Sequence, residues 1–257
     1  MSIIEFFLPR LGWQVVKAGY NYRKKFILRL IYQIFKRNAT LRLSISCLLK
    51  IQKGDKYLLI RNVQRSEQFG PIGGVSKYYL SAQSFLTEID FEVDSSSSYE
   101  KSLKLERDLR GYTKAKNLFK FINWFEKKTD RELNCLDREL KEEFEEILEK
   151  GILDNLKSFE FSHIKQIFEN PHKVSGKQYL QFRIFDIEQF SQDYIITTNI
   201  LDRLSVASIT NKNLIWVTAD EIRLGIDNKG NIIGSHSIYL IDNKRTIKED
   251  RPWAKKK

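Results

Sequence analysis

The sequence has few of the residues on which disulfide scaffolds and zinc sites depend. Its 257 residues include two cysteines, Cys47 and Cys135, and three histidines, His163, His172 and His236. Two distant cysteines form neither a disulfide framework nor a CxxC metal knot, which is typical of a reducing, cytoplasmic compartment. The histidines stand far apart in the sequence and supply no recognisable set of metal ligands.

Long hydrophobic runs are also missing. No stretch reaches the roughly 20 apolar residues that a membrane-spanning helix requires. No small-residue cleavage site follows an apolar segment at the N-terminus, which argues against a secretory signal. The apolar segment 26–35 is flanked by basic residues and contains Arg29. It fits a helix lying on an anionic membrane surface, or a helix packed on the domain or on a second subunit of a homo-oligomer.

Charge is distributed unevenly along the chain. The net charge is +11, and residues 1–40 carry eight basic side chains against one acid, so this segment alone has a net charge of +7. Such a field attracts nucleic acid, anionic lipid or nucleotide without discriminating among them. We therefore divide the chain into a basic helical N-terminal extension (1–40), a folded domain (41–245) and a basic tail (246–257).

Short β-strand patterns begin just after Thr40. Residues 41–49 alternate between apolar and polar side chains, and residues 57–62 follow a turn, so that 41–62 is predicted to be a hairpin. Residues 85–93 also have strand character, and residues 117–125 are compatible with a buried strand or helix. Further predicted elements are strands at 178–187 and 213–217 and an N-capped helical turn at 218–222.

An acidic helix is predicted over residues 130–148, which contain no Pro or Gly. Its glutamates share one face at the spacing i, i+3, i+4, i+7: Glu139, Glu142, Glu143 and Glu146. The opposite, apolar stripe comprises Leu133, Leu136, Leu140, Phe144 and Ile147. A row of like charges costs helix stability, and a divalent cation bound by the carboxylates would relieve that cost. The alternative is a solvated acidic face.

A glycine-rich loop precedes this helix. Residues 69–75 read Phe-Gly-Pro-Ile-Gly-Gly-Val. The adjacent glycines Gly73 and Gly74 permit close approach of backbone to a ligand, although an ordinary turn would have the same composition.

The order of hairpin, Gly-Gly loop, Arg-Glu-Leu-x-Glu-Glu helix, further strands and a short helix resembles the Nudix fold. The resemblance implies an α/β/α sandwich around a mixed sheet. Residues 138–143 match the second half of the Nudix box, and Asp130, separated from Arg138 by seven residues, occupies the place of its first acid. Residues 216–222 are similar to the segment that leads into the last Nudix helix. Trp124 and Glu145 stand where the box has its first and last glycines.

About fifty extra residues separate Gly74 from Asp130. This insertion, residues 76–129, follows the pattern of the SMODS-associated Nudix domain, a family found in bacterial anti-phage systems built on cyclic-oligonucleotide signalling (CBASS). Members of that family often carry an N-terminal membrane-spanning segment, where this chain has its basic extension.

The resemblance implies specific roles for the motif residues. Glu139, Glu142 and Glu143 would bind Mg²⁺ or Mn²⁺, and one of them would also act as the base. Arg138 would orient the carboxylates. Gly73 and Gly74 would let backbone approach phosphates. Three basic residues of the insertion would contact phosphates or remain solvated surface: Lys77, Arg107 and Arg110.

Two functions remain open at this point. The protein could hydrolyse a pyrophosphate bond in a nucleotide or nucleoside diphosphate derivative, or it could be a non-catalytic sensor of a nucleotide or cyclic oligonucleotide. In the second case residues 1–40 would be the effector, or would bind a membrane or a partner. A third possibility, a structural binder of nucleic acid or membrane, does not need three carboxylates on one face. The expected partner is a cyclic-oligonucleotide synthase of the same system, and the expected location is cytoplasmic or membrane-peripheral.

Overall fold

The computed structural model describes residues 31–62, 65–94, 107–140, 160–191 and 194–243. These ranges form a mixed α/β structure with two sheets and helices, as expected of the α/β/α Nudix fold. Most of the N-terminal extension, the centre of the insertion, the end of the acidic helix and the tail lie outside the described residues. No helix within the described ranges is long and apolar enough to span a bilayer.

The first sheet is organised around strand β1. Its strands are β1 (Thr40–Leu49), β5 (Gly73–Val75), β6 (Glu92–Val93), β7 (Arg110–Lys114), β8 (Phe161–Lys173) and β9 (Leu180–Phe190). Their order is β6-β7-β1-β9-β8, and β5 pairs with β1 on the same side as β7. β1 runs parallel to β9 and antiparallel to β5 and β7. The alternation predicted for residues 41–49 is confirmed, since Leu41, Leu43 and Ile45 are fully buried.

The second sheet contains β2 (Gln52–Lys53), β3 (Lys56–Asn62), β4 (Arg65–Gly70), β10 (Leu214–Thr218) and β11 (Ile232–Ile233). Its order is β10-β3-β4-β11, with β2 paired to β3. The prediction that residues 41–62 form one hairpin is therefore wrong. β1 and β3 belong to different sheets because the chain crosses between the sheets near Ile51, which is buried. The hairpin itself is the short β2–β3 turn at Gly54.

The helices cover the sheets. They are α1 (Gln83–Glu88), α2 (Leu118–Glu126), α3 (residues 136–140, the described part of the acidic helix), α4 (Tyr194–Thr210) and α5 (Ala219–Leu224). The strand predicted at 85–93 is wrong: Leu86 and Ile89 are buried at the helical spacing i, i+3, and only Glu92–Val93 is extended. Residues 117–125 are helical, and α4 was not predicted.

The predicted N-capped turn at 218–222 is confirmed as the start of α5. Thr218 accepts a hydrogen bond from the Glu221 backbone N–H at 3.3 Å, and the Glu221 side chain returns to the Thr218 N–H at 2.7 Å. This capping box satisfies two backbone donors at once. Ile222 on the same helix is fully buried in the cluster between the two sheets, so the cap fixes a core element.

Candidate functional site

The glycine loop lies directly beside β1. Strand β5 pairs Gly74 with Cys47 and Gly73 with Leu48. A Cβ atom at Gly73 would strike the backbone carbonyl of Cys47, and a Cβ at Gly74 would overlap the carboxylate of Glu139. Gly73 has no room for a side chain because backbone lies in the way, and a side chain at Gly74 would have to displace the Glu139 carboxylate. The loop is not an isolated turn, because at Gly74 it makes room for a motif glutamate.

The acidic helix begins later than the sequence predicts. The Asn134 side chain accepts a hydrogen bond from the Leu136 N–H at 2.8 Å, and the first helical bond joins the Glu139 N–H to the Cys135 carbonyl at 3.0 Å. Leu136 and Leu140 are buried in the core cluster between the sheets, whereas Leu133 precedes the helix and is 53% exposed. The prediction that Leu133 belongs to the buried stripe is wrong. The two buried leucines fix the rotation of the helix and turn Glu139 toward Gly74.

Arg138 connects the acidic helix to the glycine loop and to Glu132. Its guanidinium donates hydrogen bonds to the Val75 carbonyl at 2.9 Å and to Glu132 Oε2 at 3.2 Å, and it also ion-pairs with Glu139. Burial alone would lower the pKa of Arg138, but hydrogen bonds and charge interactions with Glu132 and Glu139 raise it above its usual range. Arg138 is thus a permanent cation that ties the helix to the glycine loop.

Glu132 is the acid that holds Arg138. Its carboxylate also accepts a hydrogen bond from the Lys77 backbone N–H at 3.0 Å, and its own N–H donates to the Lys77 carbonyl at 2.8 Å. Asp130, the acid that the box spacing selects, is partly exposed with φ of 62° and accepts a hydrogen bond from Thr129. Spacing could not have selected Glu132, because it stands two residues beyond the motif position.

The insertion is closed at its base by backbone pairing. Tyr78 pairs with Arg131 in an isolated antiparallel bridge, and the Tyr79 N–H donates to the Asp130 carbonyl at 2.8 Å. The chain that leaves the glycine loop therefore lies beside the chain that enters the acidic helix. The two halves of the motif are adjacent in space despite the extra residues between them.

A second segment of the insertion also pairs with the chain that leaves the glycine loop. The backbones of Lys77 and Asp108 pair in an isolated antiparallel β-bridge, and the Leu109 N–H donates a hydrogen bond to the Ser76 carbonyl at 2.8 Å. Arg110 donates a hydrogen bond to the Asp108 carboxylate at 3.1 Å. This placement follows from β5 and β7, which pair end to end along the same edge of β1.

Asp108 is a site residue that sequence reasoning missed. Its side chain is 7% exposed, and burial raises the pKa of its carboxyl to about 6, against the opposing charges of Arg110, Lys77 and Arg138. The negative charge of Glu139 acts in the same direction as burial. The one available signal was its position between Arg107 and Arg110, where an acid balances two cations.

The chain matches the model of a known protein family. The model of the SMODS-associated NUDIX domain matches residues 40–241. The chain belongs to this family. The matched range starts at the first residue of β1 and includes the glycine loop, the insertion and the acidic helix. No curated protein matches the chain.

The other predicted site residues of this NUDIX domain lie either at the base of the insertion or outside the described residues. Arg107 lies in a turn with φ of 69°, and its carbonyl accepts a hydrogen bond from the Tyr78 N–H at 2.8 Å. Lys77 and Arg110 flank Asp108 as described. Glu142 and Glu143 lie outside the described residues, so their predicted roles remain predictions.

Carboxylate chemistry at the site agrees with the cation that Nudix domains use. Glu139 supplies oxygen donors, which Mg²⁺ and Mn²⁺ prefer, and Gly74 leaves the space that its carboxylate needs. Among the described residues no group of three or more His, Cys, Asp or Glu is close enough to hold a metal ion. Two of the three predicted carboxylate ligands, however, lie beyond Leu140.

Cys47 and Cys135 lie on the buried side of the glycine loop of the NUDIX domain. Both are fully buried, and the Cys135 thiol donates a hydrogen bond to the Gly74 carbonyl at 3.3 Å. Its hydrogen bond with Cys47 and burial raise the pKa of the Cys135 thiol. A protonated, buried thiol is a weak nucleophile, so Cys135 supports the loop by packing.

The histidines are dispersed, as their sequence positions indicate. His163 on β8 forms a 3.1 Å contact with Glu188, and His172 contacts the Asn170 carbonyl at the same distance. His236 packs where a Cβ at Gly70 would lie 2.9 Å from its Nε2 atom. Each histidine has a separate local environment.

Proposed function

We propose that this SMODS-associated NUDIX domain binds a nucleotide or nucleoside diphosphate derivative and hydrolyses its pyrophosphate bond with a divalent cation. The signalling context of the family makes a cyclic-oligonucleotide synthase the expected partner. The contact between Glu139 and Gly74 carries the proposal. A solvated acidic face would not place a glutamate carboxylate against Gly74 with an arginine bound to it.

Glu139, Glu142 and Glu143 would hold Mg²⁺ or Mn²⁺, which would neutralise the charge of the pyrophosphate. One glutamate accepts the proton of the attacking water, as a general base within hydrogen-bond reach of it. Glu139 is suited to a fixed position, because its side chain is 13% exposed and bound to Arg138.

Arg138 acts as a positioning residue in this proposal. Its contacts with Val75 and Glu132 are on the protein side of the site, and its charge holds the Glu139 carboxylate in one orientation. Gly73 and Gly74 leave room for the Cys47 carbonyl and the Glu139 carboxylate beside them. Lys77, Arg107 and Arg110 supply positive charge for the phosphates from the base of the insertion.

A nucleotide sensor without turnover is the second candidate, and the environment of Trp124 favours it. The Nudix box has a glycine at this position, whereas Trp124 lies in α2 with its ring stacked on Phe85 at 5.2 Å between centroids. A packed helix thus replaces the first loop of the box. In this case residues 1–40 would transmit the signal to a membrane or a partner.

The decisive experiment combines turnover with binding in the full chain. The purified protein is incubated with Mg²⁺ or Mn²⁺ and a panel of nucleoside diphosphate sugars, dinucleotides and cyclic oligonucleotides, and products are separated by chromatography. Binding of the same compounds is measured by calorimetry. The variants are Glu139→Gln, Glu142→Gln and Glu143→Gln, with Asp130→Asn as a control outside the proposed ligand set.

Metal-dependent turnover that falls at least about 100-fold in the glutamate variants and survives in Asp130→Asn supports the hydrolase. Binding without turnover by the unmodified protein supports the sensor. Neither binding nor turnover with any compound of the panel contradicts both. Deletion of residues 1–30 leaves β1 and the segment packed beside it in place. Loss of all binding on this deletion, with no effect of the glutamate variants, would assign binding to the extension.

A further inference from the structure

A second concave site lies at the other end of β1. It is a pocket of about 720 Å³ between residues 34–40, Lys173 at the end of β8, and residues 177–180 at the start of β9. The pocket lies within the range of about 300–1,000 Å³ that is typical of small-molecule sites. Neither the glycine loop nor any described residue of the acidic helix lines it.

The lining of this pocket is cationic. Lys36, Arg37, Lys173 and Lys177 contribute to it, and none of its described lining residues is acidic. Within the described ranges these four side chains form no ion pair, whereas the exposed Lys53 and Lys120 pair with Asp202 and Glu88 at 2.9 and 2.7 Å. Concentrated and unneutralised positive charge in a concave surface attracts an anion and raises its local concentration.

Two more lysines extend the positive surface. Lys114 is the register partner of Thr40, which lines the pocket, and the Lys116 N–H donates to the Arg37 carbonyl at 3.1 Å. The cations therefore come from three separate segments that the sheet brings together. This density suits several phosphate groups rather than one carboxylate.

The pocket also offers aromatic and amide groups. Phe35 is 81% exposed, and Tyr179 lies edge-on to Tyr112 with ring centroids 5.6 Å apart, which fixes the Tyr179 ring at the pocket wall. Asn38 and Gln178 line the same space and can donate to or accept from a base edge. Aromatic rings stack on nucleobases of any sequence.

We propose that this pocket is a second nucleotide-binding site, separate from the NUDIX motif, in which Lys36, Arg37, Lys173 and Lys177 bind phosphates and Tyr179 stacks on the base. Thr40 and Cys47 are seven residue steps apart on β1, which separates the two sites by about 23 Å at strand rise. Binding here needs no divalent cation, because the protein itself supplies the positive charge.

A fluorescent adenosine triphosphate carrying a methylanthraniloyl group is the probe. Anisotropy titrations use the full chain with Glu139→Gln and excess chelator, so that metal-dependent binding at the motif is removed. The test variant is Lys173→Glu with Lys177→Glu. The matched control, Lys56→Glu with Lys229→Glu, makes the same charge change at two exposed lysines outside the pocket, one at the start of β3 and one in the turn at 227–230.

We expect the test variant to bind the probe at least about tenfold more weakly and the control to bind it within about twofold, since charged hydrogen bonds are lost in the first case only. Tyr179→Ala should weaken the probe and leave inorganic triphosphate unchanged as a competitor. Far-UV circular dichroism and thermal unfolding establish that each variant is folded.

Three results would overturn the inference. Equal weakening by both lysine pairs would mean general attraction to a basic protein. No effect of Tyr179→Ala would mean a site for bare phosphate. Loss of binding to phosphatidylserine vesicles in the test variant, with the probe unaffected, would mean a lipid surface instead of a nucleotide site. None of these results depends on whether the NUDIX motif is catalytic.

Discussion

The carboxylate of Glu139 occupies the space that a side chain at Gly74 would fill. The two residues are far apart in sequence and meet because backbone pairing closes the base of the insertion. Any side chain at position 74 must therefore displace the first glutamate of the motif.

Gly74→Ala is expected to lower metal-dependent turnover, or nucleotide affinity if the protein is a sensor, by about 100-fold, since displacement of a catalytic group by about 1 Å can cost that much. Val75→Ala is the control, because it keeps the backbone carbonyl that accepts from Arg138. Initial rates and calorimetric affinities are compared in the two variants. An unchanged rate in Gly74→Ala would show that the Glu139 position is not needed.

Glu132→Gln is expected to destabilise the domain by about 1–2 kcal/mol, because it removes the charge that opposes the partly buried Arg138. Asp130→Asn is the matched control and should stay within about 0.5 kcal/mol, as expected for a partly exposed side chain outside a buried network. Urea unfolding measures both. Equal losses in the two variants would contradict the assignment of Glu132 as the acid that holds Arg138.

The raised pKa of Asp108 predicts that the stability of the domain depends on pH. Its pKa in the folded protein is about 6, above the usual value of 3.8, so between these pH values the folded state binds more protons than the unfolded state. Asp108 therefore lowers stability as pH rises through this window. Asp108→Asn should gain roughly 2 kcal/mol relative to the unmodified protein between pH 4.5 and pH 7.

Urea unfolding of both proteins at the two pH values measures this difference. A pH-independent difference would place the Asp108 carboxyl at its ordinary pKa, and would mean that the charges of Arg110, Lys77 and Arg138 balance the effect of its burial.

Thr218→Ala is expected to cost about 1 kcal/mol of unfolding free energy, because it removes the N-cap of α5. Thr210→Ala, at the exposed end of α4, serves as the control, since its hydroxyl makes only a 3.4 Å contact with the Ala207 carbonyl. Chemical denaturation provides the values. Comparable small losses would show that the burial of Ile222, without the cap, is sufficient to fix α5.

Local patterns predicted the elements whose signal is contained in a few consecutive residues. The alternation of β1 and the N-capped turn at 218–222 are of this kind, and both were correct. Pairing partners were not predictable in the same way. The hairpin at 41–62 was wrong because nothing in its residues indicates that the chain changes sheets at Ile51.

The candidate site was predictable where a motif fixes spacing and unpredictable where the insertion changes it. Glu139, Arg138 and Gly74 follow from the motif, and the structure brings them into contact. Glu132 and Asp108 reach the site through backbone pairing with Lys77, which depends on how a long insertion closes. The roles of Glu142 and Glu143 remain predictions.

Strand β1 has a consequence for ligand size. One rigid ten-residue strand has the motif glycines paired near its C-terminal end and the cationic pocket at its N-terminal end. A ligand that touches both ends must span the roughly 23 Å between them, which is more than a single nucleotide spans. A ligand of several linked nucleotides could touch both ends at once. The length of the strand would then distinguish an oligonucleotide from its monomers.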